Sequence, residues 1–95
     1  MATYVLLSKL TDDGAETITK KPDRIREVNQ ELGAMGVTVR EQYALLGPYD
    51  FISIVDAPDN ATIVRVSALL GARGSIQIMT LAAIPLDDFV ASLKQ

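Results

Sequence analysis

The chain contains neither cysteine nor histidine. Without cysteine there is no disulfide, no thiolate nucleophile and no thiolate-type zinc site. Without histidine the commonest general base and transition-metal ligand are missing, and a haem held by His or Cys is excluded. Aromatic residues make up only 5% of the chain against 48% hydrophobic residues in all, so the core is expected to be aliphatic. The net charge is −3, and the longest basic run is Lys20-Lys21. Binding a phosphate backbone takes several clustered cations, so nucleic acid is not an expected partner. No apolar run is long enough to span a bilayer, and no acidic loop has EF-hand spacing. The opening Met1-Ala2-Thr3-Tyr4 runs straight into a strand pattern and lacks the features of a signal peptide. These exclusions lead us to expect a cytoplasmic protein that uses no metal and no cofactor and has no membrane partner.

What is present is a regular succession of elements in 95 residues, a length that suits one domain, 1–95. Thr3 to Leu10 reads as a strand rich in Tyr, Val and Leu. Thr11, followed by Asp12, Asp13 and Glu16, reads as an N-cap with acids in the first turn. Pro22 interrupts that helix and predicts a kink or a new start. Ile25, Val28, Leu32 and Met35 then recur at helical spacing. Val37 to Leu46 and Asp50 to Ala57 read as strands joined by a turn at Gly47-Pro48-Tyr49. Pro58 opens a helix buried through Ile63, Val66 and Leu70, which Gly71 and Gly74 close. Ser75 to Ile84 is a fourth strand, and after Pro85 the residues Leu86, Phe89, Val90 and Leu93 mark a short terminal helix.

That order is the α+β, ferredoxin-like βαββαβ pattern: a four-stranded antiparallel sheet, helices on one face, and a short C-terminal helix. Right-handed crossovers put both long helices on one side and the first and third strands at the centre. The other face is then the problem. The first strand carries Val5 and Leu7 on one side and Leu6 and Leu10 on the other, the third Ile52 and Ile54 against Phe51 and Val55, and the fourth Ile76 and Ile78 against Met79 and Leu81. Both faces are thus apolar, whereas a solvated face alternates more cleanly. The economical solution is a second copy packed on the sheet, so a homo-oligomer is expected. Strict alternation in the second strand places Val37, Val39, Tyr43 and Leu45 on one face, with Thr38, Arg40 and Gln42 opposite.

The opening Met1 to Thr11, the Asp13-Gly14 pair, the turn Gly47-Pro48-Tyr49-Asp50-Phe51 and the helix ending Leu70-Gly71-Ala72-Arg73-Gly74 together resemble the GYD domain family. The resemblance covers essentially the whole chain. It implies a subunit of the dimeric α/β barrel type, which pairs through its sheet. The family's biochemical function is not generally established. Its relatives by fold include cofactor-free monooxygenases, haem-degrading proteins and stress-responsive barrels, which bind ligands between sheet and helices. Any transfer of their activity is fold analogy.

The candidate ligand-binding residues are Lys9, Tyr49 and Asp50. Asp50 can act as a base or a cation partner, and Tyr49 as a proton donor or orienting group. Turn chemistry explains both equally well: Gly47 and Pro48 shape the backbone, and the carboxylate can accept from nearby N–H groups. Lys9 either binds an anion from a partly desolvated strand end or keeps its head in water. Arg40 and Gln42 line either a protected sheet edge or a polar cleft. Gly71 to Gly74 falls where a helix ends and lacks the basic surroundings of a phosphate clamp. Asp87-Asp88 reads as an acidic first turn, not a metal site. The leading expectation is small-molecule binding or an accessory role. The alternative is a cofactor-independent, monooxygenase-like enzyme with polar groups near the turn.

Overall fold

The computed structural model describes residues 1–94. The elements run β1 (Ala2–Leu10), α1 (Asp12–Lys20), α2 (Arg24–Ala34), β2 (Thr38–Ala44), β3 (Phe51–Ala57), α3 (Asn60–Ala72), β4 (Ile76–Ala83) and α4 (Leu86–Leu93). The strands form one antiparallel sheet in the order β2-β3-β1-β4. This is the expected ferredoxin-like α+β order, with β1 and β3 at the centre. Pro22 does separate two helices, and α2 begins two residues after it.

The sheet's two faces differ as the strand periodicity requires. On β1 the residues Tyr4, Leu6 and Ser8 are buried, and on β3 the residues Ser53, Val55 and Ala57 are buried. They meet Leu32 of α2 and Ile63, Val66 and Leu70 of α3 in one aliphatic core. Tyr4 keeps its ring inside by donating its hydroxyl to Asn60 Oδ1 at 2.5 Å, so burial leaves no polar atom stranded. Caps fix the helix starts. The Thr11 hydroxyl accepts from the Gly14 N–H at 3.1 Å, and the Asp59 carboxylate accepts from the Thr62 N–H at 2.8 Å. Gly74, at φ +79°, follows α3 and supplies the left-handed turn into β4.

One expectation about β2 is corrected. Its register against β3 shifts between Val39 and Glu41: Val39 lies opposite Val55, and Glu41 opposite Ile54. Arg40 is therefore the extra residue of a β-bulge, and alternation resets across it. Val39 and Gln42, opposite Val55 and Ser53, share the helix side, while Glu41 and Tyr43 face the other way. Arg40 does not share a face with Gln42: its Nε reaches the Asp56 carboxylate at 3.1 Å on the open side. Hydrogen bonding of Gln42 on the helix side depends on the one-residue slip.

Two apolar surfaces are left without a cover. On the open side of the sheet Tyr43, Met79 and Leu81 are exposed, beside half-buried Val5, Leu7, Ile52 and Ile54. In α4 no residue is buried, although Leu86, Phe89, Val90 and Leu93 form an apolar stripe. The molecule measures 51 Å along its longest axis. The radius of gyration is 14.4 Å, against about 12.4 Å for a compact chain of this length.

Candidate functional site

The turn between β2 and β3 is tied down by its own polar atoms. Gly47 takes φ +124°, a conformation that a side chain would strain. The Leu45 N–H donates to the Asp50 carbonyl at 2.7 Å, and the Asp50 N–H donates to the Ser8 carbonyl at 2.8 Å. The Asp50 carboxylate accepts the backbone N–H of Leu10 at 2.7 Å. Tyr49 reaches across to β4, its hydroxyl 3.6 Å from the Met79 Sδ. That contact puts the tip of the ring on the open side of the sheet. Lys9 is exposed and lies opposite Gln77 on the same side. Lys9 and Tyr49 thus belong to the open sheet face, and Asp50 to the strand end.

A partly open cavity lies on the other side. It measures about 130 Å³ and opens between the sheet, the α1–α2 pair and the end of α3. Its apolar wall includes Leu10, Ile25, Val28, Leu70 and Ile76. Its polar lining includes Ser8, Asn29 and Gln42, of which the last two are already engaged. The Asn29 amide donates to Gln42 Oε1 at 2.8 Å, and Gln42 Nε2 donates to the Ser53 hydroxyl at 3.0 Å. Lys9, Tyr49 and Asp50 are not among the lining residues.

Arg24 and Arg73 also line the cavity. Glu31 bridges them, with its carboxylate 3.1 Å from Arg24 Nη1 and 2.5 Å from Arg73 Nη2. This clasp ties α2 to the C-terminal end of α3. The Arg73 hydrogen bond is the main reason that the Glu31 carboxyl is held below its ordinary value. Burial opposes that shift, and the charge of Arg73 and then Arg24 reinforce it. Among the described residues the ionisable groups lining the cavity are these two arginines. A guanidinium does not release its proton near neutrality. The cavity therefore offers cations, amides and hydroxyls for binding, but no side chain poised to take a proton.

Sequence reasoning singled out Gln42 but not the clasp. Arg24 and Glu31 lie two helical turns apart, a legible spacing. Arg73 joins them only through the packing of α3.

The GYD domain family model matches residues 4–93. The chain belongs to the GYD domain family. Within it, this GYD protein is similar to the "Glutamine synthetase and cystathionine beta-lyase binding protein" of Thermus thermophilus. The two are 57% identical over 95 residues, covering 99% of this chain and 100% of the relative. Its fold is also similar to the crystal structure of TTHA0845, likewise from Thermus thermophilus, with a TM-score of 0.56 and 22% identity. That match covers 90% of this chain and 95% of the other. The helices described in the GYD chain include none long and apolar enough to cross a membrane.

Proposed function

We propose that this GYD protein is a small cytoplasmic accessory protein, one domain over residues 1–95, that works by binding other proteins. It pairs with a second copy through the open sheet face and engages metabolic enzymes of the kind named for its Thermus relative, glutamine synthetase and cystathionine beta-lyase. The observation that carries this reading is the uncovered apolar surface: the open face around Met79 and Leu81, and the α4 stripe at Phe89 and Leu93. Surfaces of this extent on a small chain mark interaction sites. Lys9 and Tyr49 stand on the same open face and become part of the seam between copies.

Sedimentation at micromolar concentration tests self-association, and titration against the two purified enzymes tests partner binding. The expected result is a dimer that Leu81→Asp dissociates, and saturable binding to at least one enzyme. A stable monomer that binds neither enzyme would overturn the proposal.

The helix-side cavity favours a second reading, in which the protein also binds a small molecule there. An apolar wall with a few convergent polar groups is the usual make-up of a ligand site.

A further inference from the structure

We infer that the helix-side cavity takes a small monocarboxylate with one compact apolar group and no ammonium group. This inference rests on the small-molecule reading and adds the ligand class.

Size sets the first limit. The cavity measures about 130 Å³, close to the ~150 Å³ of an engineered apolar cavity that admits benzene. An apolar ligand body of about six non-hydrogen atoms fits on that comparison. The wall of Leu10, Ile25, Val28, Leu70 and Ile76 suits a branched aliphatic or a single ring.

Charge sets the second. Four charged side chains meet at the cavity's edge: Arg24, Arg73, Glu31 and Glu27, the last 3.7 Å from Arg24. Of these, only the two guanidiniums line the cavity. A guanidinium carries five N–H donors in a fork that matches a carboxylate. Glu31 bridges the two arginines but uses only one nitrogen of each. Donors therefore remain for a second carboxylate approaching from the cavity side.

The lack of an acid sets the third. No carboxylate lines the cavity among the described residues. The ammonium of an α-amino acid would enter a partly desolvated space lined by two guanidiniums, with Glu27 and Glu31 outside the lining and already paired to them, which is unfavourable. The same molecule without its amine meets no such penalty. Ser8, Asn29 and Gln42 can serve a further ligand oxygen or amide but supply no negative charge.

Three matched probes test this: 4-methylpentanoate, its neutral amide 4-methylpentanamide, and leucine, which adds only the amine. Backbone amide shifts at Ser8 and Gln42 are followed by NMR titration of the full chain. The expected result is saturable shifts at both residues with 4-methylpentanoate, and at least tenfold weaker binding of the amide and of leucine. Arg73→Gln should weaken the carboxylate tenfold and leave the amide unchanged. The amide affinity also reports that this variant is folded. Equal binding of acid and amide, or of acid and leucine, would overturn the ligand class while leaving a small-molecule cavity in place. Millimolar probes that leave Ser8 and Gln42 unmoved, or that shift only open-face residues, would overturn both.

Discussion

The carboxylate of Asp50 accepts the backbone N–H of Leu10 at 2.7 Å, while the Asp50 N–H donates to the Ser8 carbonyl at 2.8 Å. One residue thus extends the β1–β3 pairing past its last ladder step with both side chain and backbone. A hydrogen bond to a charged acceptor contributes about 1.5–3 kcal/mol. Asp50→Ala should lower folding stability by roughly that amount and speed amide exchange at Leu10. Asp50→Asn, which keeps a carbonyl acceptor, should lose less. Urea denaturation of both variants checks this, and a loss below about 0.5 kcal/mol for the alanine would contradict it.

Gly14 is required by contact and not by backbone conformation. A Cβ there would lie 2.0 Å from the Ser75 carbonyl oxygen, which belongs to the backbone and cannot swing aside. The same region is held by Thr11, whose N–H donates to the Ser75 carbonyl at 3.0 Å and whose hydroxyl donates to the Gly74 carbonyl at 2.7 Å. Gly14→Ala should push α1 off β4 and cost about 1–3 kcal/mol, as overpacking does. Thermal unfolding should show a Tm lowered by at least about 4 °C.

Gln42 joins α2 to the sheet through Asn29 and Ser53, and Ser53 is only 5% exposed. Gln42→Leu keeps a similar bulk but removes a partner from each. Leaving a buried polar group unpaired costs about 1–3 kcal/mol. The variant should lose stability on that scale. Replacing Gln42 and Ser53 together by Leu and Ala should lose less than the two single changes summed. Strict additivity in that cycle would count against the network.

Glu31 predicts a pH dependence with a definite sign. Its carboxyl lies below the ordinary 4.5 in the folded protein, chiefly through the Arg73 hydrogen bond. Below that ordinary value the unfolded chain binds the proton more readily than the folded one. The clasp's contribution is therefore full above about pH 4.5 and is lost as pH falls through the lower folded value. The stability difference between the wild type and Glu31→Gln should be constant from pH 7 to 5 and shrink further down. Denaturation midpoints at a series of acid pH values measure it, and a difference that grows on acidification would contradict the clasp.

Much of the fold was legible because local rules and tertiary packing agree. Thr11 caps a helix as its residue type suggests, Pro22 divides α1 from α2, and the apolar stripes of α2 and α3 face the core, although α3 starts at Asn60 behind an Asp59 cap and not at Pro58. The bulge at Arg40 was not legible. Glu41 interrupts the alternation of Val39 and Tyr43, but where the slip falls is defined only by what β3 places opposite. The same limit hid the Arg24–Glu31–Arg73 clasp, because Arg73 comes from a distant helix end that also reads as a simple cap.

The sequence by itself determined the element order, the family and the chemistry that is missing, since composition, periodicity and turn residues are properties of neighbouring positions. Only the tertiary structure decided which polar groups meet. It turned Gln42 inward, bound the Asp50 carboxylate to Leu10, and set Lys9 and Tyr49 on the side of the sheet away from the cavity. The physical reason is that a side chain's partners depend on strand register and helix docking. A one-residue slip changes the face, and no local stretch of sequence specifies what lies across the sheet.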